Sequence, residues 1–259
     1  MQRTKRKLFY ILRIIPALYL VAFYMLPLSI IFHKAFEGFR SSLILTDQLQ
    51  KIGRPFIFTI YQAFLSVILT VLVGFPLAYV FSHYQFKGKR VFQAAVMLPF
   101  ILPTVVVAAA FNSFIGPNGW LNLIFMHIFH LAKPPFQLMN SLAIILLAHV
   151  FYNTSVFVRM VGAAWAQLGI TQEQAARTLG ARRWQRLWFI TLPLLKQAIL
   201  SAVLMVFLFD FTSFGVILLL GGPTFSTLEV EIYQQTTQIL NLPLAGVLSV
   251  VQMVMTFFI

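Results

Sequence analysis

The chain has 259 residues, of which 60% are hydrophobic and only 10% are charged, and its formal net charge is +13. This composition excludes an ordinary soluble domain and indicates a protein with several membrane-spanning helices. The absence of cysteine excludes disulfides, thiolate metal sites and a cysteine nucleophile. The excess of Lys and Arg is typical of membrane-protein loops held in the cytoplasm, so we expect no nucleic-acid partner.

About six apolar segments are long enough to cross a bilayer, since a spanning helix needs about 20 mostly apolar residues. They cover residues 8–32, 56–81, 91–114, 142–161, 198–220 and 242–259. The sequence therefore predicts an all-α, polytopic membrane bundle. Residues 1–55 form its tail, first span and external loop, and residues 56–259 form its core transmembrane domain. The sixth segment is short and lacks a polar flank, so we expect the natural chain to continue beyond it.

The distribution of basic residues predicts how these spans are oriented. Thirteen Lys and Arg residues fall on the side that holds the N-terminus, the loop at residues 87–90 and the segment between the fourth and fifth spans. Five fall on the other side. The positive-inside rule then places the N-terminus and the segment between spans four and five in the cytoplasm.

The third segment contains two prolines, Pro99 and Pro103, and ends in the turn sequence Gly116-Pro117-Asn118-Gly119. Proline interrupts a helix because it lacks a backbone N–H. Such a break either lines a transport path or serves as a packing kink, and the sequence alone supports both interpretations.

Residues 171–193 form a polar, helix-prone segment between the fourth and fifth spans. Thr171 is the expected N-cap, and Gln174 completes a Thr-x-x-Gln capping box. Glu173 lies in the first turn, where a negative charge complements the helix dipole. A narrow apolar face comprises Ala175, Ala176 and Leu179, and Gly180 is placed to end the helix. A second amphipathic stretch, residues 184–189, suits the membrane interface.

Asp210 is the only acidic residue in any predicted span, and burying its carboxylate costs about 3 kcal/mol on insertion scales. One interpretation is a residue of the translocation path. The other is a buried hydrogen bond to a second span, through Asn112, Asn153 or Thr154. The path candidates are Asp210, Thr212, Ser213, Asn112, Asn153 and Pro103. His149 is a further possible member of this network, and no cluster has the spacing of a metal site.

The segment at 171–193 resembles the cytoplasmic signature of permease subunits of ATP-binding-cassette (ABC) importers, the binding-protein-dependent transport family. That signature reads Glu-Ala-Ala, three residues, Gly, nine residues, Ile-x-Leu-Pro. The matching positions are Gln174, Ala175, Ala176, Gly180, Ile190, Leu192 and Pro193. Gln174 departs from the usual Glu, which puts in doubt any salt bridge that the family's carboxylate makes.

The resemblance implies that residues 171–180 form a coupling helix, which docks on an ABC ATPase dimer carrying ATP and Mg²⁺. It also implies an extracytoplasmic solute-binding protein, a second permease half and a location in the bacterial inner membrane. The chain itself needs no cofactor and is not an enzyme on this interpretation. It has no Gly-x-x-x-x-Gly-Lys-Ser/Thr phosphate loop, so ATP hydrolysis is expected in the partner. The simpler alternative for residues 171–180 is an interfacial helix that stabilises the fold.

Residues 211–215, 220–223 and 227–233 are most similar to the first half of fused permeases for ferric iron or thiamine. Glu229 and Glu231 in this region either meet a basic surface on the solute-binding protein or are ordinary solvated charges. The alternative from another class is an ion channel or secondary transporter that uses Asp210 as an ion or proton site. The transported substrate is left open by the sequence.

Overall fold

The computed structural model describes residues 2–40, 47–168 and 170–259, with side chains for residues 14–40, 50–168 and 174–259. Within these ranges the chain consists of helices and their connections, without strands. The predicted all-α fold is therefore confirmed. Two compact units are present, one formed by Met1–Arg54 with Leu228–Phe258, and the other by Pro55–Thr227 with Ile259.

The first unit contains α1 (Gln2–Arg40), α11 (Leu228–Thr237) and α12 (Leu242–Phe258), and α2 begins in it. Glycines bring α1 and α12 into close contact. A Cβ added to Gly246 would lie 2.7 Å from the backbone nitrogen of Ala35, and one added to Gly38 would lie 2.8 Å from the carbonyl oxygen of Pro243. Small residues at these crossings let the two backbones approach, as is common between membrane helices.

The second unit contains most of α2 (Asp47–His83) and all the helices from α3 to α10. Before the polar segment at residues 170–191 these are α3 (Lys89–Ile101), α4 (Thr104–Ile115), α5 (Trp120–Phe129) and α6 (Leu142–Gln167). After these come α7 (Ile170–Thr178), α8 (Arg183–Arg186), a π-helical turn (Leu187–Thr191), α9 (Leu192–Phe211), α10 (Gly215–Leu220) and a 3₁₀ turn (Gly222–Thr224).

The core of the second unit lies where α2, α6 and α9 meet. Its buried residues are Ala78, Phe157, Val161, Trp165, Leu195 and Ala202. Gly74 is required for this packing, because a Cβ there would lie 2.6 Å from Cδ1 of Phe157. The part of α2 around Gly74 is thus a contact surface for α6.

Four helical stretches in the described part of the chain are long and apolar enough to cross a membrane: Ile14–Arg40, Gln50–His83, Leu142–Gln167 and Arg183–Phe211. A fifth candidate is the broken pair Lys89–Ile101 and Thr104–Phe129, and α12 is a shorter apolar helix. These elements correspond in order to the predicted segments, although two of them differ in form.

The third segment is not one straight helix. The chain bends by 111° between α3 and the helical stretch that starts at Thr104. Pro103 precedes α4, and the backbone N–H of Leu102 bonds back to the carbonyl of Pro99 at 3.2 Å. Tyr152 of α6 donates to the carbonyl of Leu102 at 3.3 Å. A hydrogen bond from a neighbouring helix therefore satisfies the carbonyl of Leu102, which lies in the break and not inside a helix.

The fifth segment also differs from the prediction over residues 198–220. The helix that begins at Arg183 ends at Phe211, residues 212–214 interrupt it, and α10 follows as a separate turn of helix. The hydroxyl of Thr212 donates to the carbonyl of Leu208 at 2.8 Å and so helps to end α9. The residues on both sides of this break are apolar, so the hydropathy pattern did not predict the break.

Candidate functional site

Helix α7 is short and ends in a well-defined cap. Gly180 adopts a left-handed conformation with φ of 79°. Its N–H bonds to the carbonyl of Arg177, and the N–H of Ala181 bonds to the carbonyl of Ala176, both at 3.0 Å. This pair of bonds is the Schellman arrangement, which satisfies the last carbonyls of a helix. The predicted role of Gly180 as helix terminator is confirmed.

The start of α7 is described only for its backbone. The helix begins at Ile170, one residue before the predicted N-cap Thr171. Thr171 thus lies in the first turn of the helix and not at the predicted N-cap position. The side chains of Thr171 and Glu173 lie outside the described residues.

The two alanines of the signature lie in different environments. Ala176 is only 8% exposed and faces its own chain, whereas Ala175 and Gln174 are exposed. Leu179, at the end of the helix, is 89% exposed. The exposed residues of α7 and its end are Gln174, Ala175, Arg177, Thr178 and Leu179, and the leucine is the largest apolar group among them.

The rest of the signature leads from α7 into α9. The N–H of Arg182 donates to Oε1 of Gln185 at 2.8 Å, which fixes the start of α8. Ile190 lies in the π-helical turn, and Leu192 and Pro193 begin α9, where the missing N–H of proline is tolerated. Trp184, Trp188 and Phe189 are exposed along this stretch. Exposed aromatic rings beside arginines suit the membrane interface predicted for residues 184–189.

A buried polar cluster surrounds Asp210 near the end of α9. Asp210 is 1% exposed, and Nδ2 of Asn153 on α6 donates to its Oδ1 at 2.6 Å. Of the partners predicted for a buried hydrogen bond, Asn153 is the one that makes it. Nδ1 of His149 lies 3.4 Å from the same oxygen, and Nε2 of His149 lies 2.9 Å from the hydroxyl of Ser213. The structure thus brings Asn153, Asp210 and Ser213 together.

The other path candidates do not join this cluster directly. Thr212 bonds to its own helix, and Pro103 precedes α4 at the break described above. Asn112 lies near the end of α4, where its carbonyl accepts from the N–H of Gly116 at 2.9 Å. Of these three residues, only Pro103 lies at the break between α3 and α4.

The cluster includes a residue that the sequence analysis missed. Nε2 of Gln62 on α2 donates to the backbone carbonyl of Asp210 at 2.7 Å. Gln62 is one of four fully buried polar residues along one face of α2, namely Thr59, Gln62, Ser66 and Thr70. Their spacing of three or four residues was the available signal, since polar residues on one helix face mark the side that meets other helices.

A small cavity of about 220 Å³ opens beside the cluster. Its polar lining comes from Thr104, His149, Asn153, Asp210 and Ser213. Three aromatic residues, Phe100, Tyr152 and Phe209, complete the wall. A carboxylate among aromatic rings is suited to a cation. No group of three or more His, Asp or Glu side chains able to hold a metal occurs in the part of the chain that the structure describes.

The two glutamates of α11 are partly buried and do not behave as free loop charges. Nε2 of Gln252 on α12 lies 3.4 Å from Oε1 of Glu229 as a hydrogen-bond donor, and Gln235 donates to Glu231 at 2.8 Å. Burial raises the pKa of Glu229 to about 7, and the hydrogen bond from Gln252 opposes that rise. At neutral pH, Glu229 is therefore only a partial negative charge.

Long apolar helices around a buried polar cluster, with a capped polar helix between two of them, define a multi-pass membrane permease. Residues 70–259 match the family described as "Binding-protein-dependent transport system inner membrane component". The chain belongs to this family, as the signature at residues 174–193 predicted.

Curated relatives include two kinds of transport protein. The chain is 31% identical over 245 residues to the thiamine transport system permease protein ThiP of Haemophilus influenzae, covering 91% of this chain and 43% of that protein. It is 29% identical over 232 residues to the sulfate transport system permease protein CysW of Synechocystis, covering 88% of this chain and 82% of that protein. The chain thus spans less than half the length of the thiamine relative.

Solved structures show the same fold. A chain of a bacterial alginate ABC transporter, crystallised in complex with an alginate pentasaccharide-bound periplasmic protein, superimposes with a TM-score of 0.76 at 22% identity. The match covers 99% of this chain and 94% of that chain. A second structure, of a bacterial ABC transporter involved in alginate import, gives a TM-score of 0.72 at 21% identity.

Proposed function

We propose that the chain is a permease subunit of an ABC importer for a small solute, forming half of a translocation path and coupled to a cytoplasmic ATPase through α7. The observation that carries this proposal is the outward face of α7, a capped helix that presents Leu179 to solvent in a family of binding-protein-dependent permeases. ATP and Mg²⁺ belong to the ATPase dimer on this proposal. The other partners are an extracytoplasmic solute-binding protein and a second permease half.

Physical reasoning supports docking at α7. An exposed leucine on a rigid helix end gains about 1.5 to 3 kcal/mol when it is buried in an apolar cleft. Ala175 beside it is small, so a partner can approach the helix backbone closely at that position. The basic residues at 177–186 and the positive-inside rule support a cytoplasmic position for this surface.

Replacement of Leu179 by lysine tests the proposal. Lysine adds a positive charge, which is favourable at a helix C-terminus, so α7 itself should be preserved. It buries a charge at the proposed interface, and we expect recovery of the co-purified ATPase subunit to fall by roughly 10-fold or more. The matched control is Leu240→Lys, because Leu240 is 71% exposed in the connection between α11 and α12.

The control variant should retain the ATPase at the level of the unaltered chain. Equal recovery with Leu179→Lys, together with unchanged ATP-driven uptake, would contradict coupling through α7. That result would mean that the ATPase couples through another surface of the chain, and that α7 is an interfacial helix which stabilises the fold.

The cavity beside Asp210 supports a cationic solute. Thiamine, named for the Haemophilus relative, is a cation, and so is ferric iron, which the sequence resemblance suggested. Sulfate, named for the Synechocystis relative, is an anion, and the described residues that line this cavity include no Lys or Arg to bind it. The aromatic wall favours an organic cation such as thiamine over a bare metal ion, because ring faces attract positive charge without ligating a metal.

A further inference from the structure

A second cavity, of about 400 Å³, lies in the same unit between the end of α2 and the segment that follows α7. Its polar lining includes Tyr79, His83, Arg183 and Arg186, and its apolar lining includes Trp165 and Leu187. This cavity is separate from the outward face of α7, and none of its lining residues belongs to the cluster at Asp210.

The two arginines give the cavity a positive lining. One guanidinium nitrogen of Arg183 donates to the hydroxyl of Tyr79 at 2.9 Å, and its Cζ lies 5.6 Å from the centre of the Tyr79 ring. Arg183 also has a side-chain hydrogen bond to Tyr84. These contacts orient Arg183, and they leave some of the five donors of its guanidinium for a ligand. No Asp or Glu is among the described residues that line the cavity.

Arg186 provides an independent indication of a missing ligand. Its Nε is buried from solvent and has no hydrogen-bond partner among the described atoms. A buried N–H donor that stays unpaired destabilises its site, so the position is suited to an acceptor supplied from outside the chain. Two arginines around one cavity match the oxygens of a phosphate group, which guanidinium binds with paired donors.

The surroundings indicate that this phosphate is attached to an apolar molecule. Trp184 lines the cavity and is 71% exposed, and Trp188 and Phe189 are exposed along the same stretch. Aromatic and basic residues together are typical of the membrane interface, where headgroups meet acyl chains. A soluble phosphate would use the arginines but not this apolar border.

We propose that the cavity between α2 and residues 183–191 binds the phosphodiester headgroup of an anionic phospholipid, with an acyl chain along Trp184 and Leu187. The bound lipid would tie the end of α2 to the segment leading out of α7. This inference rests on the proposed function in one respect: the proposed function places the cavity at the cytoplasmic leaflet, which would supply the lipid.

Native mass spectrometry of the full chain tests this proposal, with added phosphatidylglycerol or phosphatidylcholine at equal concentration. We expect preferential retention of phosphatidylglycerol, and we expect Arg183→Gln with Arg186→Gln to lower that preference by about 10-fold or more. The matched control is Arg177→Gln with Arg182→Gln, which removes two exposed arginines of the same segment that do not line the cavity. This control should keep the preference.

Three results would overturn the proposal: no preference in the unaltered chain, an equal loss in both double variants, or displacement of the lipid by inorganic phosphate at millimolar concentration. The last result would assign the site to a soluble phosphate. If the double variant fails to fold, Arg186→Gln alone carries the same comparison. Lipid retention is measured without the ATPase, so its failure is distinguishable from a failure of coupling through Leu179.

Discussion

Individual residues carry the two chemical features of this chain, the buried carboxylate and the exposed leucine. The sequence identified Asp210 because charge is rare in a membrane span, and it named Asn153 among three possible partners. It did not identify Gln62, because a glutamine in a long apolar run gives no sign of which distant backbone carbonyl it meets. It also treated Ala175 and Ala176 alike, since the side of a short helix that faces its own chain depends on tertiary packing.

Replacement of Asp210 by asparagine separates a path residue from a packing residue. Asparagine keeps an oxygen that accepts from Asn153 but removes the charge, so the hydrogen bond should survive. If the carboxylate attracts a cationic solute, uptake in membrane vesicles should fall by about 10-fold, because desolvated cation contacts are worth about 1 to 2 kcal/mol. Thermal stability should stay close to that of the unaltered chain. Normal uptake with reduced stability would show that Asp210 serves packing instead.

At the scale of helices, hydropathy predicted the order of the apolar segments but not the breaks within them. The apolar segments appear in the order predicted, because spanning length and composition are local properties of the chain. The 111° bend between α3 and α4 could not be predicted from the local sequence. It depends on a neighbouring helix, whose Tyr152 donates a hydrogen bond to the carbonyl of Leu102. The end of α9 at Phe211 was missed for a similar reason, since the apolar pattern runs on through α10.

The cap of α7 leads to a prediction about helix stability. Gly180 has φ of 79°, and a Cβ there would meet open space, so Gly180→Ala introduces backbone strain without a clash. We expect this strain to cost about 1 kcal/mol and to loosen the last turn of α7. Hydrogen exchange at the amides of residues 179–181 should become about five-fold faster.

Gly53 supplies the matched control for this change. A Cβ added to Gly53 would also meet open space, but this glycine lies within α2 and has no positive φ. Gly53→Ala should therefore leave exchange unchanged or slow it, because alanine favours a helix. Unchanged exchange in Gly180→Ala would mean that the cap does not depend on the left-handed conformation.

The whole molecule is an all-α membrane permease, and composition together with one spaced signature was sufficient to predict that class. Family membership followed from the signature because its residues combine helix capping, small side chains and a proline start in a fixed order. The arginine-lined cavity could not be predicted, since Tyr79 and Arg183 are far apart in sequence and meet only through the fold. Substrate choice is the least predictable property, because the relatives carry both a cation and an anion.

Crosslinking from position 179 shows whether an ATPase subunit docks on the end of α7. The chain has no cysteine, so Leu179→Cys creates a single thiol that accepts a photoactivatable maleimide probe. In membranes that contain the assembled, transport-active complex, we expect a crosslinked product between the chain and the ATPase subunit, and none from the same probe at Leu240→Cys. Active transport with no ATPase product from position 179, or with an equal product from position 240, would contradict docking through α7.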